Sequence, residues 1–184
     1  MADKHVYGGV LKPRFEHVKE KHGKDGIARL LAKMKEGGYD GPEDPEKFKI
    51  ANPYPVEYYL LLLNSYKELY GDKNLDLMSR DMPRRKGVVG WLVKWEDSPE
   101  QIIQKADQYW KNFYDFGRLE GSTSEGKRGV VKGFDVSVDP ITCRVFTHYF
   151  TGILETAGAK KVEIYHSKCV HKGNDHCEWN IGWA

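Results

Sequence analysis

At 184 residues the chain is long enough for one domain that buries roughly seven tenths of its unfolded surface, so no metal is needed merely to make it fold. Lys and Arg total 29 against 27 Asp and Glu, a formal balance of +2, and no continuous basic run with interleaved aromatics occurs, which argues against a nucleic-acid partner. The longest apolar stretch, Tyr58 to Leu63, is far shorter than the ~20 residues of a membrane helix, and no apolar signal region follows Met1, so a soluble, cytoplasmic protein with no membrane partner is expected.

The first half reads as helical. Pro13 suits the first turn of a helix reaching about Lys21, and Ile27, Leu30, Leu31 and Met34 then repeat at helical spacing until Gly37 and Gly38. A loop rich in Pro, Gly and acid runs from Gly37 to Pro55. The leucine-rich segment Val56 to Tyr70 predicts a buried helix stopped by Gly71. Leu75 to Arg85 predicts a short helix, while Gly87 to Trp95 fits either a helical or a strand period. Ser98, Pro99 and Gln101 form a capping-box start, and Ile102, Ile103, Ala106, Trp110, Phe113 and Tyr114 continue that helix to Gly117.

From Gly117 to Asp139 the texture changes to glycine and β-branched residues, which predicts two antiparallel strands. Asp139 and Pro140 open a helix with a wide apolar stripe from Ile141 to Ala157, stopped by Gly158. Lys161 to Tyr165 and Cys177 to Trp183 alternate as strands around a turn at Gly173, Asn174 and Asp175. The fold class is therefore α+β: one domain over 1–184, mainly helical through residue 116 and strand-rich from 117, closed by a β-hairpin.

All three cysteines, Cys143, Cys169 and Cys177, lie in this last part, the final two interleaved with histidines. An odd cysteine count in a reducing compartment favours thiolate chemistry or metal over a bridge. Cys169 and Cys177 flank the hairpin turn, and Cys143 falls in the first turn of its helix, where the dipole favours a thiolate. The fourth donor of a tetrahedral site is open among His166, His171, His176 and Glu178. In a regular strand His166 and Cys169 face opposite ways, so the strand must break before Cys169 if both bind. Three buried cysteines of an ordinary core are the competing reading.

The order of parts from Gly117 to Trp183 resembles the 4-vinyl-reductase-type small-molecule-binding family: glycine-rich strands, Asp139 to Cys143 opening a helix that carries Phe150-Thr151-Gly152, a strand reaching Cys169, then Gly173 and Cys177. That family includes the aromatic-sensing domains of phenol- and xylene-responsive activators. The resemblance implies a structural zinc as cofactor, held by Cys143, Cys169 and Cys177, with His166 where the sensors have an acidic residue. The helical half is similar in arrangement to the wider superfamily of haem nitric-oxide-binding-like folds, although no Tyr-x-Ser-x-Arg triplet, which holds haem propionates in that branch, occurs here.

With 5 Trp, 11 Tyr and 7 Phe, the chain has ample lining for an apolar pocket. Trp91, Trp95, Trp110, Phe113, Tyr114 and Phe134 are the candidate ligand contacts. No metalloprotease motif, phosphate loop, nucleophile elbow or dinucleotide fingerprint occurs. The expectation is a stand-alone ligand-binding or regulatory domain for a small hydrophobic or aromatic molecule. Its output would pass through a protein partner or a homodimer. The alternative is an accessory enzyme or haem-binding sensor in tetrapyrrole or aromatic metabolism.

Overall fold

The computed structural model describes residues 4–85 and 97–184. It is α+β, and the chain divides into two compact units, one of residues 1–78 with 113–115 and the other of 79–112 with 116–184.

The first unit is built on two helices. α1 spans Gly8–Glu36, with one break in its helical backbone at Gly23 (φ 69°), so the two helices expected from the periodicity are joined end to end. α2 spans Val56–Tyr70, as its leucine run predicts, and Gly71 caps it. Val10, Leu11, Phe15, Val18 and Leu30 of α1 and Tyr59, Leu62, Leu63 and Tyr66 of α2 are buried in this unit. Two strands too short to show in the sequence, β1 (His5–Tyr7) and β2 (Pro53–Pro55), pair antiparallel. Residues 113–115 join this unit through hydrogen bonds from the Tyr7 N–H to the Phe113 carbonyl (2.9 Å) and from the Asp115 N–H to the His5 carbonyl (3.3 Å). α3 (Asp72–Asp81) follows α2.

The second unit is a four-stranded antiparallel sheet under short helices. A 3-10 turn, Met82–Arg84, leads in. Ser98 then opens α4 (Pro99–Gln104) with both halves of its capping box formed, the Gln101 N–H donating to Ser98 Oγ (3.3 Å) and the Ser98 N–H to Gln101 Oε1 (2.8 Å). The expected long helix breaks at Lys105 and resumes as α5 (Ala106–Trp110), ending a turn and more before Gly117. β3 (Arg118–Ser124) and β4 (Arg128–Phe134) form the expected hairpin. α6 (Pro140–Thr156) is capped by Asp139, whose Oδ1 accepts from the Ile141 N–H at 2.8 Å. β5 (Glu163–Lys168) and β6 (Cys177–Gly182) close the chain, and the sheet order is β3-β4-β6-β5.

One face of the sheet is packed, with Leu119, Val131, Trp179 and Ile181 buried. Phe146 and Phe150 of α6 meet the Trp179 ring edge-on at 6.4 and 5.2 Å. Gly152 lets α6 approach the last turn of α3: a Cβ there would stand 1.9 Å from the Arg80 carbonyl oxygen. Arg80 and Arg84 both pair with Glu155 beside that contact. No helix among the described residues is long and apolar enough to cross a membrane.

Candidate functional site

The three cysteines converge. Cys143, in the first turn of α6, lies with its sulfur 3.8 Å from Cys169 Sγ and 3.8 Å from Cys177 Sγ, and all three thiols are buried and free. His166 completes the group, with the four ligand atoms within 4.8 Å of one another. His171, His176 and Glu178, the other donors weighed from the sequence, are not members of it.

Local structure explains how residues far apart in sequence meet. Asp139 and Pro140 fix where α6 begins, and so where Cys143 sits. Cys169 ends β5 and Cys177 begins β6. The turn between them is a 3-10 segment, Val170–Lys172, closed by Gly173 in the left-handed region (φ 87°). Asn174 ties the turn back, its Oδ1 accepting from the Cys169 N–H at 3.0 Å. The strand break that the sequence demanded is present. His166 pairs with Trp179 and Lys168 with Glu178, so Ser167 is a one-residue bulge that brings His166 and Cys169 to the same face.

The imidazole is held flat on Trp179, ring centroids 4.7 Å apart and planes 10° from parallel. Trp179 is itself fixed by its Nε1–H donating to Thr147 Oγ1 at 2.9 Å. His166 Nε2 is buried and has no hydrogen-bond partner. The Cys143 and Cys177 thiols are shifted in opposite directions by the hydrogen bond between them. A hydrogen bond from Cys143 holds the Cys177 thiol down to about 5, against its burial, with the Val170 N–H and the His166 imidazole helping. The same bond, together with burial, pushes the Cys143 thiol up. Ser137 Oγ buttresses the cluster, lying 3.0 Å from Cys143 Sγ, 2.9 Å from Thr142 Oγ1 and 2.8 Å from His171 Nε2. Sequence reasoning missed Ser137; a hydroxyl a few residues before a capped cysteine helix was the available signal.

The aromatic candidates are dispersed within their units. Trp110 is buried in the sheet unit, edge-on to Phe116 (6.1 Å) and Phe146 (5.2 Å), with its Nε1–H on the Phe116 carbonyl (2.6 Å). Phe113 and Tyr114 are buried and counted with the helical unit, Tyr114 lying 6.4 Å from the Tyr59 ring. Phe134, half-buried, is sandwiched between His176 (5.2 Å) and the Arg118 guanidinium (4.1 Å). Trp91 and Trp95 lie outside the described residues. A cleft of about 600 Å³ opens on the other face of the sheet, among Arg128, Glu163, Tyr165 and Asn180, and none of the described aromatic candidates or cysteines lines it.

No protein-family model matches the chain, and no curated protein does. Solved structures do. An H-NOX protein from S. oneidensis in the Fe(II)NO ligation state is 14% identical, with 97% of this chain and 99% of that chain covered and a TM-score of 0.68. The Fe(II) unliganded H-NOX protein from K. algicida is 10% identical, with 97% and 96% covered and a TM-score of 0.65. A structure titled for the function of heme distortion in the H-NOX family is 12% identical, with 96% and 94% covered and a TM-score of 0.65. The chain thus shares the fold of these H-NOX proteins along almost its whole length, the arrangement to which its helical half was likened. The narrower likeness, to 4-vinyl-reductase-type domains, gains no support from a family model.

Zinc, expected as the cofactor, is corrected by these comparisons. The structures that share the fold are described by Fe(II) and heme, not by zinc. Three thiols and an imidazole select soft and borderline metals as a class. The choice of zinc within that class came from the family resemblance, not from the geometry.

Proposed function

We propose that this chain is a ligand-binding sensor domain for a flat, largely apolar molecule, and that haem is the ligand its fold favours. The fold carries the reading: it matches H-NOX domains over nearly their full length and over nearly the full length of this chain. Haem held here would supply an iron able to take a further small ligand. Of this chain's own residues, His148 on α6, half-buried and outside the thiol cluster, would offer that iron a nitrogen.

Titration of the purified chain with haemin is the test. A Soret band that saturates at one equivalent, and that shifts in His148→Ala, supports the reading. Its absence ends haem as the ligand. A second reading, an aromatic molecule other than haem, is favoured by the missing Tyr-x-Ser-x-Arg triplet. It predicts binding of apolar aromatic acids with no Soret band, contacting Trp110, Phe113, Tyr114 or Phe134.

Cys143, His166, Cys169 and Cys177 we assign as one ligand set for a soft metal ion that fastens the closing hairpin to α6. Support comes from the convergence and from the unpartnered His166 Nε2. Elemental analysis of protein never exposed to chelator is expected to find one ion per chain, lost in Cys177→Ser. Three freely reacting thiols and no ion would end the assignment.

A further inference from the structure

The helical unit buries a cation that no described residue neutralises, and we infer that this residue, Arg14, receives a carboxylate of the bound ligand. Arg14 is 5% exposed. Its Nη1 donates to the Val10 carbonyl at 2.5 Å and its Nη2 to the Tyr59 hydroxyl at 3.3 Å, while the guanidinium carbon lies 4.9 Å over the Tyr59 ring. Nε is buried with no partner, and no carboxylate among the described residues pairs with the side chain.

Arginine keeps its charge under all ordinary conditions, so it cannot escape burial by losing a proton. A carbonyl and a ring face offset only part of the lost hydration, and a buried charge without a counter-ion is heavily penalised. The unit would be better served by an apolar residue at this position unless an anion arrives. The unused donor defines where. Nε and Nη2 form one edge of the guanidinium, which offers two parallel N–H bonds to a carboxylate. The long bond from Nη2 to Tyr59 is the weakest of its contacts, so that donor can turn to the anion. Tyr59, 1% exposed, then has its hydroxyl beside the same carboxylate as a third donor. Val10 and Tyr59 thus aim the guanidinium, and the free edge reads the acid.

The inference rests on the reading of the domain as ligand-binding, and not on the ligand being haem. Wild type, Arg14→Met and Arg14→Lys are titrated, as the full chain, with protoporphyrin IX and its dimethyl ester and with pyrenebutyrate and its methyl ester, following fluorescence. Wild type is expected to bind the free acid on the order of ten- to a hundredfold more tightly than the ester. Arg14→Met should bind acid and ester alike, while Arg14→Lys, which keeps the charge without the fork, retains part of the preference. Equal binding of acid and ester by wild type, or an undiminished preference in Arg14→Met, overturns the inference. If neither porphyrin binds, haem falls as the ligand and the pyrene pair decides Arg14 by the same ratio; no acid preference in either pair overturns it. Should Arg14→Met fail to fold, wild type and Arg14→Lys decide.

Discussion

Each unit buries a charged residue, and the two treat it differently. In the sheet unit Asp97, 7% exposed, is met by the Lys105 ammonium at 2.6 Å and by the Tyr109 hydroxyl, whose pKa is pushed up by burial and by that carboxylate. In the helical unit Arg14, equally deep, has a carbonyl, a hydroxyl at long range and a ring, but no opposite charge among the described residues. A charge neutralised within the chain fastens neighbouring segments together. One left open is a fixed donor awaiting something from outside. Inside the sheet unit, likewise, Asp139 and Ser98 are engaged as helix caps while the buried His166 Nε2 has no hydrogen-bond partner.

Substitutions can sharpen or break that contrast. The largest effect is expected from Trp179→Ala, which empties a fully buried site and removes the surface on which His166 lies. About 4 kcal/mol of unfolding free energy should be lost in a denaturant titration. Removing the carboxylate in Asp97→Ala should cost about 2 kcal/mol, because Tyr109 and a partly exposed Lys105 then lose their partner. Arg14→Met in the ligand-free chain should show no such loss, and a deficit as large as that of Asp97→Ala would break the comparison. Ser98→Ala, which removes one half of the capping box, should cost about 1 kcal/mol by the same titration.

The smallest effect is that of Glu155→Gln, below about 1 kcal/mol, since Arg80 and Arg84 are both largely exposed and screened. Its pH dependence is the informative part. The hydrogen bond from Arg80 holds the Glu155 carboxyl below its usual range. Its contribution is therefore complete above the unfolded value of about 4.3 and fades as the pH falls through the lower folded one. The gap between wild type and Glu155→Gln in melting temperature should close on acidification.

Much of the fold could be read from the residues. Val56 to Tyr70 needed only its apolar run and Gly71; the β3–β4 hairpin and α6 followed from alternation and from the Asp139-Pro140 start. Three-residue strands such as β1 carry too few side chains to set a period, and the break at Lys105 has no Gly or Pro to announce it. The three cysteines stood out because thiols are rare and sat at recognisable element ends, while the residues alone left the fourth member open among His166, His171, His176 and Glu178. Arg14 did not stand out. On a helix crowded with Lys, Glu and His it reads as one more solvated charge, and only packing reveals that it shares the buried face with Leu11, Phe15 and Val18.

The surplus residue in β5 has a genetic consequence. Losing the single codon for Ser167 would leave the imidazole and the Cys169 thiol two apart in an even strand, still on one face, without altering any of the four amino acids concerned. The constellation therefore follows the pairing register and not a fixed number of residues between its members. Descendants with the shorter spacing and no bulge would hold the same four groups together.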